Sequence, residues 1–181
     1  ELHGKTVCDI ISEGASLGFR HLHLSGGEPL LWKPFYDTLA FARDGGYESF
    51  FINSNGDLWD SSFVQKITPF RDSTVFSLTL LGNENNHDAW RGKGSFARAM
   101  KGLEQACSSG IKVRVFTVVS RENISSLAED TARIHSRFPS VTGFTFIQLL
   151  NAAYGGKDLS QSLLSPDEFI SLVKSAALLN L

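Results

Sequence analysis

Leu22-His23-Leu24-Ser25-Gly26-Gly27-Glu28-Pro29-Leu30-Leu31 is the stretch on which the fold turns. Its first half alternates. Leu22 and Leu24 fall on one side and His21, His23 and Ser25 on the other, as in a strand with one apolar face. Its second half ends the strand with two glycines, an acid and a proline. Bare glycines let a ligand approach the backbone closely. A carboxylate beside open carbonyls makes an acceptor-rich corner, which suits an ammonium group because charge-assisted hydrogen bonds are the strong ones. Pro29 sets the exit direction and brings no competing donor. The spacing is that of neither GxGxxG nor a phosphate loop. The plainer reading of the same residues is a Gly-Gly turn with Glu28 as a solvated charge.

Working outward, helices and strands alternate. Val7, Ile10, Ile11 and Leu17 mark a helix over 5–17 closed by Gly18, before the strand Arg20 to Leu24. Pro34 opens the next helix at its first position, with Phe35, Leu39 and Ala42 on one face and Gly45-Gly46 at its end. Glu48 to Asn53 is a strand leading to the turn Ser54-Asn55-Gly56, and a short helix follows near 60–67. Thr74 to Leu80 is a strand. Gly82 to Gly94 reads as a long polar loop holding His87, Trp90 and Arg91. Ser95 is placed to cap a helix bearing Phe96, Met100, Leu103 and Cys107, ended by Gly110. Lys112 to Val119 is the most β-prone run. Leu127, Thr131, Ile134 and Phe138 predict a helix stopped by Pro139, and Gly143 to Leu150 a further strand. Ser165-Pro166-Asp167-Glu168 is a capping-box start for a last helix with Phe169, Leu172, Val173 and Ala176.

Five strands, each preceded by a helix, predict an α/β fold with parallel strands and crossover helices. An open doubly wound sheet and a (βα) barrel both fit this order. In either, ligands bind at the C-terminal ends of the strands, where the glycine stretch lies.

The 181 residues suit a single domain, 1–181. Seventeen basic against nineteen acidic residues leave a net charge of −2, so no basic surface argues for nucleic acid. No apolar run approaches the roughly 18 residues of a membrane span, and no signal peptide opens the chain; a cytoplasmic location is expected. Cys8 and Cys107 are isolated and form no CxxC pair, so each is expected to be a small buried hydrophobe. The chain starts at Glu1 without a methionine and reads as an internal segment of a longer protein.

The stretch 22–31 resembles the GGEP segment of radical S-adenosylmethionine (SAM) enzymes, and further landmarks follow in that family's order. Ile52-Asn53-Ser54-Asn55-Gly56 is similar to its TNG turn, and Phe76-Ser77-Leu78-Thr79 to the strand that contacts ribose. His87-Asp88-Ala89-Trp90-Arg91-Gly92 resembles its HdxxRG segment, and Val118-Val119-Ser120-Arg121-Glu122-Asn123 its VVxxxN. Together they cover about residues 4–156. Ser77-Leu78-Thr79-Leu80-Leu81-Gly82 departs from the usual SLDG, with no aspartate and one extra residue.

The resemblance implies a partial (βα)6 TIM-like barrel whose first strand is missing. It implies that SAM is bound by Ser25, Gly26, Gly27, Glu28, Pro29, Asn53, Ser54, Asn55, Ser77, Thr79 and Arg91. By alternation Ser77 and Thr79 point into the barrel toward the ribose, while Phe76, Leu78 and Leu80 pack under helices. Arg91 is placed to pair with a carboxylate of SAM or with Glu28, and His21 and His23 are substrate contacts or hydrogen-bonded wall residues. The family's CxxxCxxC, whose soft thiolates hold a [4Fe–4S] cluster, does not occur here and is expected before Glu1. In the family, cluster reduction cleaves SAM to a 5′-deoxyadenosyl radical that takes a hydrogen atom from substrate. An electron donor such as a flavodoxin or ferredoxin is implied, with a peptide or a cofactor precursor as substrate. The tail Leu150 to Gly156 and the Ser-Pro-Asp-Glu start resemble members with a SPASM extension. The chain alone is expected to be inactive, and its unpaired strand edge invites self-association. The alternative is a cluster-free barrel serving as a binding or scaffold module.

Overall fold

The computed structural model describes residues 3–151 and 158–178. The tail motif over 152–156 lies outside the described residues.

Five strands, β1 (His21–Leu24), β2 (Ser49–Ser54), β3 (Thr74–Thr79), β4 (Lys112–Val119) and β5 (Phe144–Gln148), form one sheet in sequence order, every pair parallel. Sequential order with helical crossovers makes a half-barrel, not a doubly wound sheet, which would reverse its strand order. The helices are α1 (Gly4–Ser16), α2 (Phe35–Asp44), α3 (Ser61–Ile67), α4 (Glu84–Arg91), α5 (Ser95–Ser108), α6 (Leu127–Arg137) and α7 (Pro166–Leu178).

Alternation sets the two faces. Phe50, Ile52, Phe76, Leu78, Val113 and Val115 are at most 2% exposed and pack with Leu39, Ala99 and Leu103 in one core beneath the helices. Their strand neighbours point the other way, onto the concave face: His21 and His23, Phe51 and Asn53, Val75, Ser77 and Thr79, then Arg114, Phe116 and Val118. A second cluster, Val119, Leu127, Leu164 and Leu172, fixes α7 against β4 and α6.

The expected elements are present, with four differences. The segment expected as a polar loop contains α4, whose Asn83 side chain caps it by accepting from the Asn86 N–H. Ser95 does not cap α5. Gly94 is the capping residue, in the left-handed region, and Asp88 of α4 accepts from the Gly94 and Phe96 N–H groups and the Ser95 hydroxyl. Pro34 is the N-cap of α2, one residue before its first turn. Both cysteines are half-buried instead of buried; Cys107 packs against the core and Cys8 stands outside it. The capping box at α7 forms as expected: Ser165 Oγ accepts from the Glu168 N–H, and the Glu168 carboxylate from the Ser165 N–H.

Candidate functional site

The C-terminal ends of β1 and β2 are joined by Glu28. Its carboxylate accepts from the Ser54 hydroxyl at 2.9 Å, the Asn55 N–H at 2.8 Å and the Leu30 N–H at 3.3 Å. Glu28 is therefore neither a solvated charge nor a partner of Arg91. A carboxylate accepts at about four positions, so three donors leave about one for a ligand. Glu28 also caps a 3-10 turn, Pro29–Leu31, which turns the chain away from the corner and leaves Gly26 and Gly27 exposed.

The last two residues of β2, Asn53 and Ser54, and the Asn55 that follows divide their work. Ser54 is buried, donates to Glu28 and accepts from the Gly56 N–H. The Asn55 side chain accepts from the Asp57 N–H, closing the turn. Only Asn53 looks onto the concave face: its amide nitrogen donates to Ser25 Oγ at 3.0 Å, and its Oδ1 is buried with no partner. Gly56, at φ 79°, lets the turn lie directly under α5. A Cβ on Gly102 of α5 would stand 2.3 Å from the Gly56 carbonyl, so helix and turn meet backbone to backbone.

Ser77 pairs in register with Asn53 and is 2% exposed; Thr79 is half-buried two residues on. Neither hydroxyl has a hydrogen bond among the described residues, so backbone satisfaction does not occupy them. His21 Nδ1 lies 2.7 Å from Ser49 Oγ, and His23 packs edge-on to Phe51 at 5.1 Å; both are wall residues.

A second corner joins β3 to β4. Asn123 accepts from the Ser120 N–H and donates to the Val118 and Leu81 carbonyls. The Leu81 N–H donates to His87 Nδ1 at 3.2 Å, and burial, then the nearby Arg91 charge, hold the His87 pKa below its usual value. Arg91 ends α4, exposed and without an ion pair among the described residues. With Leu81, Trp90, Val118, Ser120 and Leu149 it lines a pocket of about 170 Å³ at the rim. The sequence places Trp90 beside Arg91 and Leu149 in the last strand, but gives neither a role at this pocket.

The glycine corner also opens on a groove of about 700 Å³ along the free edge of β1, lined by Ile10, Leu22, Leu24, Leu31 and Trp32 among others. No group of three or more His, Cys, Asp or Glu converges among the described residues to hold a metal, and the chain's two cysteines lie apart on α1 and α5. These residues do not fit a [4Fe–4S] cluster. They do fit SAM, because a buried orphan acceptor, two unpaired hydroxyls and bare glycine backbone face one concave surface.

Among relatives, the chain is 28% identical over 155 residues to the Fe-coproporphyrin III synthase of Methanosarcina barkeri (strain Fusaro / DSM 804), covering 85% of this chain and 38% of that protein. It is 28% identical over 134 residues to the mycofactocin maturase MftC of Mycolicibacterium smegmatis (strain ATCC 700084 / mc(2)155), covering 73% and 34%. It thus spans less than half the length of these relatives. The fold matches Streptococcus suis SuiB bound to S-adenosylmethionine with a TM-score of 0.80 at 15% identity, over 96% of this chain and 39% of that one. It matches anSMEcpe with bound AdoMet with a TM-score of 0.79 at 16% identity, over 97% and 50%. A match to the Radical SAM superfamily runs over residues 6–134, from α1 through both strand-end corners into α6. The chain belongs to the radical SAM superfamily.

Proposed function

We propose that this chain is the SAM-binding section of a radical SAM enzyme that modifies a peptide or a cofactor precursor. The observation that carries the reading is the buried, unpartnered Asn53 Oδ1, in register with the unbonded Ser77 hydroxyl and bonded through its amide to Ser25. A buried acceptor without a donor is costly, and a bound ligand's hydroxyl or ammonium relieves it.

SAM held here would supply radical chemistry for hydrogen-atom removal from substrate, given an electron from a donor and a cluster bound outside these residues. The chain's residues hold it. The remaining acceptor position of Glu28 and the carbonyls of Ser25 to Gly27 take the ammonium. Asn53, Ser77 and Thr79 face the ribose diol, and Arg91 at the rim takes the carboxylate. Ser54, Asn55 and Pro29 act one step removed, by fixing Glu28 and the exit of the chain. The thiolates for a cluster would come from outside these 181 residues, so no electron-transfer step is assigned to the chain itself. The reading entails an electron donor such as a flavodoxin or ferredoxin. The open edge of β1 is the surface through which the chain would self-associate. No helix among the described residues is long and apolar enough to cross a membrane. Names among the relatives, such as the mycofactocin maturase and SuiB bound to precursor peptide SuiA, support peptide or cofactor substrates.

Gly27→Val is the decisive variant. A Cβ at Gly27 meets nothing within 4 Å and its φ is not positive, so the fold tolerates the change. Equilibrium dialysis with labelled SAM should then show affinity reduced by about tenfold or more, because the ligand's approach to the backbone is blocked. Unchanged SAM affinity in Gly27→Val sinks the placement. A folded full-length protein that binds no SAM at all returns the barrel to the scaffold reading.

A further inference from the structure

The concave face has a charge pattern that the whole chain does not. The protein carries 19 acidic and 17 basic residues, yet no Asp or Glu occurs in any of the five strands. Their charged residues are Lys112 and Arg114, both on β4. Lys112 is at the strand's start and donates to the Asp72 carbonyl at 2.6 Å. Arg114 is different. Val113 and Val115 on either side are at most 1% exposed in the core, which places Arg114 on the concave face. It makes no hydrogen bond or ion pair among the described residues, and its Nε is buried without an acceptor.

Its surroundings are built for a guanidinium. Gly143 pairs alongside, and a Cβ there would stand 3.4 Å from Nη2 and 3.6 Å from Nε and Cζ. The bare backbone gives the flat group its room. On the other side Arg114 is in register with Ser77, which is in register with Asn53, which donates to Ser25. One row of side chains therefore runs across four strands from the glycine corner to Arg114. Two strand spacings separate Asn53 from Arg114, about 10 Å.

We propose that Arg114, one strand spacing from Ser77 and two from Asn53 (about 5 and 10 Å), anchors a carboxylate of the substrate, so that the reacting carbon is held beside SAM by an anionic arm. The proposal rests on the SAM placement above. A single guanidinium matches a monovalent, planar carboxylate. A phosphate would want further donors, and Lys112 is already engaged with Asp72. Barrel shear puts Arg114 nearer the start of its strand than Asn53 is to the start of β2, so the arm reaches down into the half-barrel from the SAM end.

The test reads the Arg114 Nε–H signal by nitrogen NMR in the whole chain, with the peak assigned by its loss in Arg114→Lys. Titration with glutarate should shift it saturably, while uncharged dimethyl glutarate leaves it in place. In Arg114→Lys, glutarate affinity followed on the Ser77 amide should fall by about tenfold. Labelled SAM should bind this variant within about twofold of wild type. No saturable shift with glutarate, or an equal shift with the ester, overturns the proposal. A stronger response to inorganic phosphate than to glutarate overturns the carboxylate assignment. Wild-type protein that shows the glutarate shift but binds no SAM counts against the SAM placement and leaves the anchor standing, whereas loss of SAM binding in Arg114→Lys makes Arg114 a SAM contact and overturns the substrate assignment.

Discussion

The two strand-end corners of the half-barrel are tied by the same device with different chemistry. At β1 and β2 the tie is Glu28, an acceptor-only group holding Ser54, Asn55 and Leu30. At β3 and β4 it is Asn123, which both accepts and donates, to Ser120, Leu81 and Val118. The amide spends its donors and its acceptor on backbone and is 3% exposed. The carboxylate keeps acceptor capacity and a negative charge beside exposed glycines. One corner is finished as a piece of scaffold; the other is left able to take a cation.

The largest effect should come from breaking the finished corner. Asn123→Leu leaves the Ser120 N–H and two carbonyls without their partner, and urea unfolding should show a loss of about 3 kcal/mol. Its SAM affinity should change less than that of the next variant; the reverse order would dissolve the contrast. Glu28→Gln removes charge while keeping shape, and places an amide donor against donors. Stability should fall by about 1–2 kcal/mol, with SAM affinity reduced about tenfold in dialysis. Equal SAM binding in Glu28→Gln would make Glu28 a tie like Asn123.

The smallest effect is one of pH, confined to the second corner. His87 accepts the Leu81 N–H only when neutral, and burial lowers its pKa in the folded protein. A lowered histidine pKa means that the unfolded chain binds the proton more readily. Stability is then full above the unfolded value of about 6.5 and declines as pH falls below it. Thermal melts between pH 7.5 and 5.5 should show a loss of under about 1 kcal/mol, with faster exchange of the Leu81 amide. A His87→Asn protein whose melting keeps the same slope over that range would remove His87 as the cause.

Much of this was legible in the sequence because it is local. The alternation of Phe76, Ser77, Leu78 and Thr79 told core from concave face, and Ser165 with Glu168 announced its own capping box. The sequence singles out Glu28, but two of its three donors lie 26 and 27 residues away, and no pattern near Glu28 reveals them. Ser54 and Asn55 read from the sequence as ligand contacts; in the structure the Ser54 hydroxyl and the Asn55 N–H hold Glu28, and the Asn55 side chain closes the turn. Helix α4 was missed because Glu-Asn-Asn-His-Asp-Ala-Trp-Arg is strongly polar, with Ala89 and Trp90 as its apolar residues; Asn83 and the packing of His87 on Phe96 sustain it. Arg114 was readable, since a cation flanked by Val113 and Val115 on a central strand has one place to point. It goes unremarked when motifs alone are followed.

Asp88 has a consequence for the order in which the rim comes apart. Helix α4 has eight residues, well below the length at which a helix persists in water by itself. Its Asp88 supplies the first turn of α5 with acceptors, and the Phe96 and Gly94 N–H groups, with the Ser95 hydroxyl, in turn lower the carboxylate's pKa. Neither helix keeps that turn without the other. Through Asp88, Trp90 and Arg91 are tied to the first turn of α5, and the end of α4 and the start of α5 are expected to open together, read as matched amide exchange in both turns.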